Sequence, residues 1–314
     1  KDSIKTDLYG NLMNINKSQI MAIEDFIIQN NNYYISFSEL YDTLPGGGPA
    51  WSQDIAEIVV YKYNSNMNIL EKLPYTNVTK YSLAVYAGGN ENELKQRYIN
   101  TELEIDPATG NLLLAGQTHW KTGNWVYGNN IVRSFNGTNW VNFGDTLLNS
   151  NQYPSHASSI YISSKNGHLV IAITQDESVG NDPYSSDTLM LYRYNYANNN
   201  WQEFTGGHPQ IDLYYVNSFS LAVTSNGEPV FACSSYDNIL GSDVVMKHNN
   251  TTNTWEYIDS PITPPNSSLS FSWQEPMIKI DDNNCIFINY IDIYWDIDFE
   301  IITQCIPLYT TNFN

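Results

Sequence analysis

One unit recurs along the whole chain, and that repetition limits the fold more than any other feature. Each copy reads as an apolar strand, a tight polar turn, a second apolar strand, a long loop, a third strand, a short Asn-rich turn and an aromatic. The first two strands are Phe26-Ile27-Ile28 then Tyr33-Tyr34-Ile35, Leu103-Glu104-Ile105 then Leu112-Leu113-Leu114, and Ile160-Tyr161-Ile162 then Leu169-Val170-Ile171. Leu221-Ala222-Val223 then Pro229-Val230-Phe231, and Ile278-Lys279-Ile280 then Cys285-Ile286-Phe287, complete the set. The turns between them, such as Asn30-Asn31-Asn32, Lys165-Asn166-Gly167 and Ser225-Asn226-Gly227, are rich in residues that tolerate positive φ, as hairpins require. Third strands such as Ile131-Val132-Arg133 and Leu189-Met190-Leu191-Tyr192 run through a short turn into Trp140, Trp201 and Trp255, which recur at one phase and read as packing residues.

The last residues of the first strands, Ile28, Ile105, Ile162, Val223 and Ile280, are spaced by 77, 57, 61 and 57 residues. A four-stranded antiparallel unit has two faces to bury, and stacking copies around an axis buries both. The expected fold is therefore all-β, a single β-propeller domain over residues 1–314 with five blades, near 21–75, 98–145, 156–206, 217–260 and 274–314. Residues 1–20, with Leu8 to Ile15 as the strand, would close the last blade and remove two sheet edges. Six blades are the alternative, with Ser82-Leu83-Ala84-Val85-Tyr86 as the remnant of a further copy. In this organisation the chain resembles repeat-type β-propellers, kelch-like ones and bacterial surface propellers among them. The resemblance is architectural and brings no site residues with it.

Charge narrows the partners. Against 33 Asp and Glu there are 14 Lys and Arg, a formal net charge of −19, and such a field repels nucleic acid and anionic lipid. No apolar run approaches the roughly 20 residues of a spanning helix. The chain starts Lys1-Asp2-Ser3, which suggests a mature or truncated form, and its heavy Asn, Tyr and Thr usage suggests a secreted, periplasmic or cell-surface bacterial protein. Three cysteines are too few for a disulfide scaffold. Cys285 and Cys305 fall on adjacent antiparallel strands, expected opposite each other, and are either bonded in an oxidising compartment or two buried thiols; Cys233 reads as a small core residue.

Loop lengths separate the two ends of each blade. The links between strands one and two and between three and four are short, whereas strand two-to-three links (Ser38 to Ile55, Gly116 to Asn130, Gln175 to Asp187, Ser234 to Asp243, Tyr290 to Asp298) and the blade connectors are long. Binding residues concentrate on such loops. They carry Trp51, Trp120, Trp125, Tyr127, Tyr184, Tyr215, Tyr236, Trp273 and Trp295, the candidate ligand-binding set, because flat rings beside amides suit sugar faces or peptides.

Three chemistries can be weighed. A non-catalytic propeller that recognises a glycan or protein through the long-loop face is the main expectation. A glycoside hydrolase or lyase is the alternative, using carboxylates where first strands begin: Glu24, Asp25, Glu102 and Glu275, with Glu104 beside them. Blades three and four begin His156-Ala157-Ser158-Ser159 and Asn217-Ser218-Phe219-Ser220 and offer no acid there. No cofactor is expected; His119, His156 and His208 lack zinc-ligand spacing, and Asp292, Asp296 and Asp298, with Glu300, form the weak calcium candidate.

Overall fold

The computed structural model describes residues 20–44, 53–64, 69–86, 94–97, 101–122, 125–145, 147–149, 158–176, 187–209, 219–235, 242–262, 277–293 and 299–307. They form strands joined by turns and bends, and no helix among them is long and apolar enough to cross a membrane. In chain order the strands are β1 (Ile20–Gln29), β2 (Asn32–Leu44), β3 (Gln53–Asn64), β4 (Ile69–Lys72), β5 (Thr79–Tyr86) and β6 (Leu94–Arg97). Then come β7 (Glu102–Ile105), β8 (Leu112–Thr122), β9 (Trp125–Phe135), β10 (Trp140–Asn142) and β11 (Leu147–Asn149). Next are β12 (Ser158–Lys165), β13 (His168–Asp176), β14 (Asp187–Asn195), β15 (Asn200–Glu203), β16 (Phe219–Val223), β17 (Pro229–Ser235), β18 (Ser242–Asn249) and β19 (Thr254–Ile262). The last three are β20 (Met277–Ile280), β21 (Cys285–Ile293) and β22 (Phe299–Pro307).

The repeat read from the sequence is the unit of the sheets. Strands β12 to β15 and β16 to β19 each form a four-stranded antiparallel sheet in chain order, and β20 to β22 form a three-stranded one. Strands β1 to β4 and β7 to β10 follow the same pattern, and these five groups are the blades one to five. The stretch offered as the remnant of a sixth copy forms two strands, β5 and β6. Strand β5 pairs with the far end of β3, from Gln53↔Leu83 to Glu57↔Thr79, with β6, and with β8 at Thr79↔Gln117, so this stretch joins the sheets of blades one and two.

The residues fall into two compact units, Lys1–Ile105 with Asn111–Pro154, and Asp106–Gly110 with Ser155–Asn314. In the second unit β16 contacts both β12 and β20, so first strand lies beside first strand, as in stacked propeller blades. Period-2 alternation explains the stacking. On β17 Phe231 and Cys233 face blade three and join Tyr161, Val170, Leu189 and Leu191, while Val230 and Ala232 face blade five and join Ile278, Ile286 and Ile288. Both faces of blade four are thus buried, which is why Val230-Phe231-Ala232-Cys233 is an unbroken apolar run. In the first unit the same alternation on β3 sends Ile58 and Val60 to a core with Leu103, Leu112, Leu114 and Trp140, and Val59 and Tyr61 to the opposite face with Ile35 and Phe37.

Turn chemistry follows the sequence. Asn30 and Asn31 both have positive φ (48° and 61°), as do Asn166 and Gly167 (49° and 84°), the backbone that a two-residue hairpin turn needs. The strand two-to-three links are shorter than expected, because the ladders run on into them: Leu44↔Gln53, Thr122↔Trp125, Asp176↔Asp187 and Ile293↔Phe299 are all paired. Cys285 is disulfide-bonded, and Cys233 is a buried thiol. In register Cys285 faces Pro307 and Phe287 faces Cys305, so the two cysteine positions are diagonal neighbours rather than directly opposed.

Candidate functional site

Blades one and two bring acids together at their first strands. Asp25 lies on β1 next to a register shift between Ile23 and Asp25, a β-bulge that re-aims the strand. Its Oδ2 accepts the backbone N–H of Leu103 at 2.7 Å and its Oδ1 that of Phe26 at 2.7 Å. Leu103 directly follows Glu102, so a carboxylate from the first strand of blade one fastens the first strand of blade two beside its own acid. Both oxygens of Asp25 hold backbone donors, and its role is to join the strands. Glu24 and Glu102 are half-buried neighbours of that junction. Glu104 turns back on its own strand, where Oε1 accepts the N–H of Ile105 at 2.8 Å. Glu275 lies outside the described residues.

A second pair of carboxylates was missed in the sequence. Glu39 on β2 and Glu57 on β3 are directly opposed in the ladder. Tyr61 donates its O–H to Glu39 Oε1 at 3.0 Å, and Lys72 Nζ donates to Oε2 at 2.8 Å while lying 5.9 Å from the centre of the Tyr61 ring. Burial raises the Glu57 carboxyl above its ordinary value; Lys72 opposes that rise and Glu39 adds to it. Burial, then the charge of Glu39, likewise pushes the Tyr61 phenol far up. Glu39 is thus held by a cation and a phenol, while Glu57 beside it is pushed toward its protonated form. Only the ladder register places them together, and the sequence offers no signal for it.

The aromatic candidates divide by position. Trp120, Trp125 and Tyr127 are on the β8–β9 hairpin, not in a loop, with Trp120 paired to Tyr127 and Thr122 to Trp125. Trp51, Tyr184, Tyr215, Tyr236, Trp273 and Trp295 lie outside the described residues. Of the calcium candidates, Asp292 is on β21 with Glu300 as its ladder partner on β22, so this pair too belongs to strands; Asp296 and Asp298 lie outside the described residues. Among the described residues no group of three or more His, Cys, Asp or Glu could hold a metal ion.

His119 is on β8, paired to Gly128, and His156 lies outside the described residues. His208 caps a strand: its Nδ1 accepts the N–H of Leu191 at 3.2 Å, and its Nε2 lies 3.8 Å from Glu203. Burial lowers its pKa, against the pull of Glu203.

No family model matches the chain, and no curated protein matches it. Solved structures do. An α-L-arabinanase of Penicillium chrysogenum complexed with arabinobiose matches at 10% identity over 93% of this chain and 82% of its own, with a TM-score of 0.49. MPT-4, a mannose phosphorylase from Leishmania mexicana, matches at 9% identity over 92% and 84%, with a TM-score of 0.43. An endo-arabinase from Bacteroides thetaiotaomicron matches at 10% identity over 94% and 95%, with a TM-score of 0.38. These matches correct one expectation. A propeller that binds without chemistry was the main reading of the sequence, and the matching structures are carbohydrate-acting enzymes. The physical reason for the error is that aromatic rings beside amides serve a binding module and an enzyme equally, so their enrichment does not distinguish the two.

Proposed function

We propose that the chain is a carbohydrate-active enzyme, a glycoside hydrolase or lyase, that works with carboxylates on the first strands of blades one and two. The observation that carries this reading is the Asp25 bridge to Leu103, which sets Glu24 and Glu102 on neighbouring strands of one compact unit. In this reading Glu24 and Glu102 are the acid and base and Asp25 is a positioning residue. Glycosidic cleavage by paired carboxylates needs no cofactor. The disulfide at Cys285 supports an oxidising, extracytoplasmic location.

A polysaccharide screen read as release of reducing ends tests it, with unsaturated-product absorbance to separate a lyase from a hydrolase. Glu24→Gln and Glu102→Gln are each expected to lower release by roughly 100-fold or more, in line with loss of an acid or base. Release that survives both substitutions sinks this site. The separated environments of Glu39 and Glu57 favour a second location, and loss of activity in Glu57→Gln alone would move the chemistry there.

A further inference from the structure

The repeat makes one residue of blade two anomalous. In blades one to four the aromatic or leucine that opens the fourth strand pairs with a third-strand residue: Leu70 with Tyr63, Trp140 with Phe135, Trp201 with Tyr194, and Trp255 with His248. Two residues earlier on the third strand stand Tyr61, Arg133, Tyr192 and Met246. Tyr61, Tyr192 and Met246 are buried at 6%, 7% and 5% exposure. Blade two puts an arginine at this position, and its side chain is half-buried.

That guanidinium is poorly accommodated by the chain itself. Its Nη1 donates to Asn142 Oδ1, but its Nε is buried and has no acceptor. Among the described residues no carboxylate forms an ion pair with it. Burial lowers its pKa, and the one group that opposes this is the phenol of Tyr75. Two ladder pairs away on the same sheet face, the indole N–H of Trp140 is also buried without an acceptor, in a residue only 8% exposed. Two buried donors left unmade and a cation without a counter-charge are each unfavourable, and a single anionic acceptor would relieve all three. Among the described residues no carboxylate supplies that acceptor.

We propose that blade two holds a binding site for a small carboxylate-type anion, which accepts N–H from Arg133 Nε and Trp140 Nε1. One carboxylate oxygen accepts from the guanidinium Nε–H, and the second is free to take the indole. The site stands on β9 and β10 and is independent of the acids assigned to cleavage above. The anion is either a free carboxylate or the carboxyl group of an acidic sugar, and both offer the same two oxygens.

The test follows the indole N–H resonance of Trp140, assigned by its disappearance in Trp140→Phe, while sodium acetate, sodium glucuronate or sodium chloride is added. Acetate is expected to shift it saturably and to raise the melting temperature, because a ligand that binds only the folded state stabilises it. Arg133→Met, which installs the residue blade four uses at this position, is expected to weaken binding roughly tenfold or more, the loss of a charge-assisted pair. Arg133→Lys, a milder variant in case Arg133→Met does not fold, keeps the charge, loses the fork and should bind in between. Equal responses to acetate and glucuronate identify a free carboxylate, and a response to glucuronate alone identifies an acidic sugar. A response to chloride alone, no saturable shift by about 100 mM in the unsubstituted chain, or an unchanged shift in Arg133→Met or Arg133→Lys overturns the proposal; the concentration corresponds to binding too weak to matter.

Discussion

Blades two and four place a tryptophan at the same phase of the repeat and end with different results. In blade four the indole of Trp255 donates to Gly207 O at 3.0 Å, and its ring contacts Phe204, Phe231 and His248. The buried His248 ties the same connector through Thr205 O at 3.0 Å. In blade two the ring of Trp140 packs on Phe135, but its N–H has no acceptor. The repeat therefore decides where the ring goes, and the connector from the preceding blade decides whether its polar atom is satisfied. Gly206 makes the blade-four solution possible: its φ is +97° and a Cβ there would meet the carbonyl oxygen of Asn253 at 2.1 Å, so only glycine lets the connector approach.

The largest expected effect comes from breaking the dense side of this comparison. Phe231 is fully buried and packs on Phe219 and Trp255, so Phe231→Ala should cost about 3–5 kcal/mol in urea unfolding. By contrast Val141→Ala, at an exposed position of β10 in blade two, should change stability by less than about 0.5 kcal/mol.

A sharper version removes only the indole N–H. Both Trp255→Phe and Trp140→Phe lose ring volume, but only the first loses a hydrogen bond and leaves Gly207 O unpaired. Trp255→Phe should therefore be the more destabilising by about 1 kcal/mol, measured as a difference of unfolding midpoints. Equal costs would show that the blade-four bond adds nothing to stability.

The smallest effect is on pH dependence, and it probes the connector that leaves blade three. His208 must be neutral at Nδ1 to accept the N–H of Leu191, and burial lowers its folded-state pKa below the ordinary 6.5. Its contribution is fully present above pH 6.5 and is lost as pH falls from there through the lowered folded-state value, because the unfolded chain binds the proton first. Melting curves at pH 7.5 and pH 5.5 should show this loss, and His208→Gln should flatten the slope between them. An identical slope in the variant would mean that His208 does not set the pH dependence.

Much of the architecture was legible in the residues because it rests on short-range rules. Asn30-Asn31 and Asn166-Gly167 specify hairpins through their tolerance of positive φ, and the unbroken run Val230-Phe231-Ala232-Cys233 requires burial on both faces. Register is a different matter. Nothing local to Glu39 or Glu57 shows that the two will face each other, nor that Cys285 will face Pro307 rather than Cys305. Trp120, Trp125 and Tyr127 read as loop residues although Gly123-Asn124 between them is a two-residue hairpin signal, and the β8–β9 ladder extends to Thr122 and Trp125.

The sequence alone determined the all-β repeat, its pitch, its turns and the core phase of Trp140, Trp201 and Trp255, since these depend on side-chain period and backbone preference within a few residues. Tertiary structure decided which polar groups meet: Asp25 with the Leu103 amide, Glu39 with Lys72 and Tyr61, Trp255 with Gly207, and Arg133 with almost nothing. These outcomes depend on ladder register and on how one blade lies against the next. Both are settled by the burial of many apolar side chains at once, a cooperative sum that no single stretch of sequence carries.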